Sequence, residues 1–256
     1  MDVRAKKHLG QHFLTDQNIA RNIVDSLSFE DYKKVLEVGP GMGVLTKFLL
    51  EKESEIYVAE IDQESIVYLK KHYPKLEEQH FVGDFLKINI PEVFGEELAL
   101  IGNFPYNISS QILFKIIDNF QFVPEMSGMF QKEVAERTAA KPRTKDYGIL
   151  SVLVQAYYDV EYLFTVHENV FNPPPKVKSG VIRMTRNLKP GLAGNEVLFK
   201  QIVKAGFGQR RKKMSNALKV LGIPENMKSH PFLEIRAEEL SVADFIAFAN
   251  EWKASL

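Results

Sequence analysis

The sequence predicts an α/β fold, with a mostly parallel sheet that ends in an antiparallel pair, followed by a small all-helical domain. Three observations predict it. Short apolar runs alternate with amphipathic stretches from Val35 to Phe130, the pattern of a parallel sheet covered on both faces. Two more apolar runs, 158–164 and 180–185, lie close enough to form an antiparallel pair. Beyond a break at 187–195, which holds Pro190, Gly191 and Gly194, every signal is helical.

The elements follow in chain order. Asp16 is placed to cap a helix that buries Ile19, Ile23, Val24 and Leu27. Strands are expected at 35–38, 56–61, 80–82, 98–102 and 127–130, with helices between them at 44–51, 63–72 and 110–120. After the break, helices are expected at 196–206 and 212–221. Ser241 with Asp244 reads as a capping box for a last helix whose Phe245, Ile246, Phe248 and Trp252 form core. The expected domains are 1–187 and 188–256.

Composition narrows the chemistry. The chain has 256 residues, 45% hydrophobic and 26% charged, which is the balance of a folded globular protein. The absence of cysteine excludes disulfides, Cys-ligated metal and a thiol nucleophile, and fits a reducing cytoplasm. No apolar run reaches the roughly 20 residues of a membrane span, so no membrane association is expected. The first ten residues lack the apolar core of a secretory signal.

The first site is a glycine loop. Val35-Leu36-Glu37-Val38 runs into Gly39-Pro40-Gly41-Met42-Gly43 and then a helix, the strand–turn–helix of a Rossmann-like nucleotide site. Glu60 closes the next strand about 20 residues on, where a carboxylate accepts from ribose hydroxyls, with Ile61 beside it. The glycine spacing is not that of a nicotinamide dinucleotide loop, and Glu37 would repel a pyrophosphate. A cationic, phosphate-free cofactor suits it, and S-adenosylmethionine is one. Gly83-Asp84-Phe85 closes the third strand, with Asp84 placed to accept from the cofactor's adenine amino group.

The second site is Asn103-Phe104-Pro105-Tyr106, at the end of the fourth strand, where open α/β sheets bind ligands. An aromatic amino group is a poor nucleophile because its lone pair is delocalised. Acceptors at the Asn103 side chain and the Pro105 carbonyl favour a tetrahedral nitrogen whose lone pair can attack a sulfonium methyl in line. Positioning and electrostatics then supply most of the rate, without a strong base. Tyr106 offers a ring on which a flipped base can stack. No metal is expected: His167-Glu168 has no partner at helical spacing and reads as structural.

Together these motifs resemble the ribosomal RNA adenine N6,N6-dimethyltransferases of the KsgA family, over nearly the whole chain. The resemblance begins at Gly10-Gln11-His12-Phe13-Leu14 and runs through Tyr147-Gly148-x-Leu150-Ser151 and Phe171-x-Pro173-x-Pro175-Lys176-Val177-x-Ser179. It ends at Phe207-x-Gln209-Arg210-Arg211-Lys212. It implies cofactor contacts at His12, Leu14, Gly39, Gly41, Glu60, Ile61, Asp84, Phe85 and Asn103, and a catalytic set of Asn103, Pro105, Tyr106 and Phe171, with Phe171 and Tyr106 sandwiching the target adenine. The implied substrate is two adjacent adenosines in a hairpin loop near the 3′ end of small-subunit ribosomal RNA, in an assembling 30S particle, with a role in its biogenesis. His12 stands where the family often has Asn, and Phe104 where it usually has Leu. A backbone contact at position 12 survives the exchange.

Charge is balanced, 33 basic against 33 acidic residues, but unevenly placed. From Val197 to Pro224 there are seven basic residues and no acidic ones, and from Glu225 to Leu256 six acidic and three basic. Lys176, Lys178, Arg210, Arg211, Lys212 and Lys213 are the expected RNA contacts, with Arg4, Lys6, Lys7, Arg183 and Arg186 extending the surface. The segment 141–145 reads as a mobile loop. A cytoplasmic monomer is expected. The competing readings are an Erm-type enzyme acting on large-subunit RNA, a DNA amino-methyltransferase and a non-catalytic assembly factor. The roughly 70 residues after 187 leave little room for a DNA target-recognition domain, and the intact Asn103, Pro105, Tyr106 and Glu60 argue for catalysis.

Overall fold

The computed structural model describes residues 3–187, 191–192 and 194–256. The strands are β1 (Phe13–Leu14), β2 (Lys34–Val38), β3 (Glu55–Ala59), β4 (Leu98–Asn103), β5 (Glu125–Gln131), β6 (Tyr158–Val166), β7 (Phe171–Asn172) and β8 (Ser179–Arg186). Six of them form one sheet in the order β3-β2-β4-β5-β8-β6, while β1 and β7 make a separate antiparallel ribbon. The first four sheet strands are parallel, and β8 runs antiparallel to β5 with Gly128 opposite Ile182. The antiparallel strand is thus an inner one, with β6 beyond it.

The helices are α1 (Gln17–Val24), α2 (Thr46–Leu49), α3 (Gln63–His72), α4 (Ile90–Phe94), α5 (Ser109–Asp118), α6 (Lys132–Ala139), α7 (Ile149–Gln155), α8 (Glu196–Gly208), α9 (Met214–Ala217) and α10 (Val242–Ala254). Asp16 caps α1 through the amides of Asn18 and Ile19, at 2.8 and 3.1 Å. Burial of Val35, Leu36 and the run Leu98, Ala99, Leu100 and Ile101 is essentially complete. That explains why these strands read as continuous apolar runs rather than alternating ones.

Three expected elements differ. The strand at 80–82 is reduced to a single parallel bridge, Val58 to Phe81, because the chain turns away at Gly83, whose φ is +78°. The helix at 44–51 is only Thr46–Leu49, preceded by turns. The helix at 212–221 divides into α9 and a 3-10 turn at Leu218–Leu221.

Two compact units emerge. One contains the residues up to Ala135 and Val160–Arg186; the other contains Glu136–Asp159 and Asn187–Leu256. Of the break at 187–195, residues 188–190 (Pro190 among them) and 193 lie outside the described residues. The second unit is built on buried Tyr147, Phe199, Phe245, Phe248 and Trp252. The Ser241–Asp244 box is formed, with reciprocal bonds of 2.8 and 3.1 Å. The segment 141–145 is tied rather than loose: the Arg143 amide donates to the Glu238 carbonyl at 2.8 Å, and Arg210 Nη2 to the Thr144 carbonyl at 3.1 Å.

Two arginines expected at an RNA surface are instead structural. Arg183 donates through Nε to Glu125 Oε1 at 2.7 Å, and Arg186 pairs with Glu97 at 2.7 Å while donating to the Gln121 carbonyl. Glu125, 3% exposed, also accepts from the Ser28 amide and hydroxyl and from the Tyr32 hydroxyl. Burial and this bond push the Tyr32 hydroxyl up. Removing the carboxylate strands the buried Tyr32 hydroxyl and the partly buried Arg183 guanidinium at once. Glu125→Ala is therefore expected to cost about 3 kcal/mol in urea unfolding, with most of the loss in midpoint rather than slope.

Candidate active site

The strand order sets the site. From β2 the chain goes to β3 on one side and then crosses to β4 on the other, so a crevice opens at the carboxyl ends of β2 and β4. Register pairs Glu37 with Ile101, which brings the Gly39 loop beside Asn103. A Cβ on Gly102 would sit 2.6 Å from the Val38 carbonyl oxygen, so the strands meet this closely only with glycine there.

One cavity joins both expected sites. It is lined by 9–14, by the loop after Glu37, by Ala59, Glu60 and Ile61, by 84–86, and by 103–108. Of the expected cofactor contacts, His12, Leu14, Gly39, Gly41, Glu60, Ile61, Asp84, Phe85 and Asn103 all line it. Gly41 adopts φ +55°, and a Cβ there would meet the Phe13 ring at 2.8 Å. Ile61 is 52% exposed, an apolar surface at the cavity that suits a flat ring.

Two carboxyl groups govern the electrostatics. Glu60 is 7% exposed and accepts from three backbone amides: Ile61 at 2.8 Å, Asp62 at 2.9 Å and Gly41 at 3.1 Å. Burial raises its pKa and these amides oppose the rise. Oε2 takes one amide and Oε1 two, which leaves Oε2 free to accept a ribose hydroxyl. Glu37 is 1% exposed and receives the Thr46 hydroxyl. Burial pushes it up to about 8, the Thr46 bond opposing and the Glu60 charge reinforcing the rise. Glu37 is therefore a neutral acid at pH 7 until a cation arrives beside it.

At the chemical end, Asn103 Nδ2 donates to the His12 carbonyl at 2.8 Å. That bond fixes which way the amide faces and leaves Oδ1 as an acceptor. The Pro105 carbonyl accepts only long bonds, from the Ile108 amide at 3.3 Å and the Ser109 hydroxyl at 3.4 Å. The Tyr106 hydroxyl is bonded to Ser179 Oγ, and burial raises its pKa. The ring stacked on Tyr106 is that of His12, with centroids 5.4 Å apart at 27°. Phe171 is 4% exposed, pairs with Leu14 in the ribbon and packs in the core. It does not line the cavity.

Several supporting residues carried no sequence signal. Asp62, at the start of α3, takes Lys6 as an ion pair and Gln11 Nε2 at 3.2 Å, which ties the N-terminal segment to the Glu60 end of β3. Lys115 of α5 donates to the Leu86 and Ile88 carbonyls at 3.0 and 2.6 Å and so holds the loop that presents Asp84. Tyr73 donates to the Gly43 carbonyl at 2.9 Å and packs on the glycine loop. Each acts across 27 or more residues of chain, a separation that local pattern does not reveal.

The expected RNA contacts divide. Lys176 and Lys178 are exposed. In the helical unit Arg210 pairs with Glu238 at 2.7 Å and Lys213 with Glu234 at 2.8 Å. Arg211 and Lys212 are exposed and have no ion pair among the described residues.

Comparison with known proteins places these features in context. The sequence model of the ribosomal RNA adenine dimethylase family matches residues 3–253. The chain is similar to the ribosomal RNA small subunit methyltransferase A of Cytophaga hutchinsonii, 56% identical over 97% of each protein. It is similar to that of Flavobacterium johnsoniae at 54%, over 98% of this chain and 97% of the other. Among solved structures it resembles a dimethyladenosine transferase from Plasmodium falciparum, with a TM-score of 0.81 and 25% identity over 95% of this chain and 98% of that one. It also resembles the 23S rRNA methyltransferase ErmE, with a TM-score of 0.67 and 25% identity over 92% and 98%.

Glu37 yields a pH signature. Its folded value of about 8 lies above the ordinary 4.5. The group's contribution to stability is thus complete below about pH 4.5 and is lost as pH rises toward 8, by about 3 kcal/mol at pH 7. Gln cannot titrate there. The melting temperature of Glu37→Gln relative to wild type should therefore rise between about pH 5 and pH 8 in cofactor-free protein.

Proposed function

The chain belongs to the ribosomal RNA adenine dimethylase family, and from that premise we propose that its target is two adjacent adenosines in a hairpin loop near the 3′ end of 16S ribosomal RNA in the small subunit. The enzyme dimethylates adenine N6 at the expense of S-adenosylmethionine, on a class I methyltransferase fold. Its close similarity to two small-subunit methyltransferases supports the small subunit over the large. The substrate is an assembling 30S particle, met by a monomer in the cytoplasm, and methylation accompanies small-subunit biogenesis. Methyl transfer is assigned to residues 1–187 and RNA binding to the helical residues 188–256, with Glu136–Asp159 belonging to the same compact unit as Asn187–Leu256. Among the described residues no helix is long and apolar enough to cross a membrane.

The residues fit the cofactor. S-adenosylmethionine, when bound, supplies an electrophilic methyl on a sulfonium. Glu60 would take the ribose hydroxyls, Ile61 and Phe85 would flank the cofactor's adenine and Asp84 would accept from its amino group, all four lining the cavity. Glu37, buried and neutral when alone, would ionise beside the cofactor's cationic amino and sulfonium groups and balance their charge. Asn103 Oδ1 and the Pro105 carbonyl accept the two N–H bonds of the target amine and draw its lone pair toward the methyl. The single observation that supports this reading is the Asn103 Nδ2 bond to the His12 carbonyl, which engages the amide N–H on a backbone acceptor and leaves the amide oxygen as a free acceptor. Tyr106 is the stacking ring. Phe171 would take part only if its ring were uncovered from the core.

The free cations Lys176, Lys178, Arg211 and Lys212 are the phosphate contacts. Arg210 and Lys213 are held by Glu238 and Glu234, and an RNA phosphate would compete with those carboxylates.

Undermethylated 30S and 50S subunits with labelled cofactor test the reading. Label should enter 30S RNA, and Asn103→Ala should lower the rate by about 100-fold. Label in 50S RNA alone, or equal incorporation by the variant, would refute it. Changing Arg211 and Lys212 together to Gln should weaken RNA binding and flatten the salt dependence by about two in slope, as read by filter binding across a salt series.

A further inference from the structure

We infer that His12 is a positioning residue for methyl transfer, its imidazole setting the plane of the Tyr106 ring on which the target adenine stacks. The inference rests on the reading of Asn103 and Tyr106 given above. The resemblance to relatives implied a cofactor contact at this position, but the side chain faces the other half of the site.

The Tyr106 hydroxyl is anchored on Ser179 Oγ. That bond fixes the two ends of the ring axis, Cβ and the hydroxyl, and leaves rotation about the axis free. Rotation about that bond is broad for tyrosine. A base that stacks on the ring needs its plane, not only its axis, to be fixed. The His12 ring supplies the missing constraint, stacked on the Tyr106 ring at 5.4 Å and 27°; the inferred pose puts the base on the opposite face.

His12 can do this because it is itself held. Its Nδ1 lies 2.8 Å from the Pro173 carbonyl oxygen. A carbonyl only accepts, so Nδ1 carries the proton and the ring orientation is determined. Its backbone is fixed by the ribbon, where Phe13 pairs with Asn172, and by the carbonyl that receives Asn103 Nδ2. One residue thus links the N-terminal segment, the loop after β4 and the loop before β8 at the reacting centre. The bond to Asn103 runs through the backbone, so side-chain variants leave it in place and isolate the imidazole.

Three variants separate the possibilities. His12→Ala removes both ring and donor, His12→Phe keeps a stacking ring without the donor, and His12→Asn keeps a donor without the ring. Steady-state methylation of undermethylated 30S subunits gives kcat and KM, calorimetry gives the dissociation constant for S-adenosylmethionine, and thermal melting confirms the fold. His12→Ala and His12→Asn are expected to lose about tenfold in kcat, because a base held out of alignment binds but reacts slowly. His12→Phe should recover at least half of that loss on a logarithmic scale, and the cofactor dissociation constant should stay within about twofold for all three.

Wild-type kcat in His12→Ala would overturn the inference. So would recovery by Asn but not Phe, which would assign the effect to the Pro173 bond, or a loss confined to cofactor affinity. Asn103→Ala is run in parallel. If it stays active, the underlying chemical reading fails; if it is inactive while His12→Ala is normal, only the role of His12 fails.

Discussion

The parallel pairing of β2 with β4 is the constraint on which the rest of the site depends. The chain lays β3 on one side of β2 before it crosses to β4 on the other. Two connections therefore leave the sheet in opposite directions, and a crevice opens between them. The glycine loop leaves β2 and the Asn103 segment leaves β4, about one strand spacing, ~4.8 Å, apart. Donor and acceptor of the methyl group thus meet without any element having to reach across the molecule. The close approach of Gly102 to the Val38 carbonyl shows how little room that arrangement leaves.

Three buried carboxyl groups show how differently one chemistry can be accommodated. Glu125 is satisfied by Arg183 and by the Ser28 and Tyr32 donors, and so acts as a structural anchor. Glu60 is satisfied by backbone amides alone, which hold it in place while keeping acceptor capacity for a ligand. Glu37 has the Thr46 hydroxyl and little else to offset its burial, so it is the one pushed furthest toward neutrality. An acid poised this way suits a site that must hold a cationic cofactor and release its neutral product.

Balanced net charge conceals a division of labour among the basic residues. Arg183 and Arg186 fasten sheet strands and loops. Arg210 and Lys213 bind the acidic segment that follows them in the helical unit. The exposed cations that remain are fewer than the sequence count implies, and their effective charge toward RNA is set by these pairings rather than by composition. Among the expected RNA contacts of the helical unit this leaves Arg211 and Lys212, adjacent in sequence and both in solvent.

Much of this was legible in the chain. The glycine loop, Glu60 and Asn103 lie at strand ends, and strand ends follow from local apolar runs, so local pattern sufficed to find them, while Asp84 follows only an isolated bridge at Phe81. The Asp16 cap, the Ser241–Asp244 box and α3 were legible in the same way, from contiguous residues. The strand at 80–82 was not, because a single bridge to β3 is decided by where Gly83 turns the chain. Nor were Lys6, Lys115 and Ser179, whose partners lie far along the chain. The sequence by itself determined the fold class, the methyl donor and the amino-methylation motif, since each is written in contiguous residues. Only the tertiary structure decided that the His12 ring stacks on Tyr106 while Phe171 packs in the core, and which arginines are free. Those outcomes depend on which surfaces distant segments bury against one another, and no local spacing encodes that.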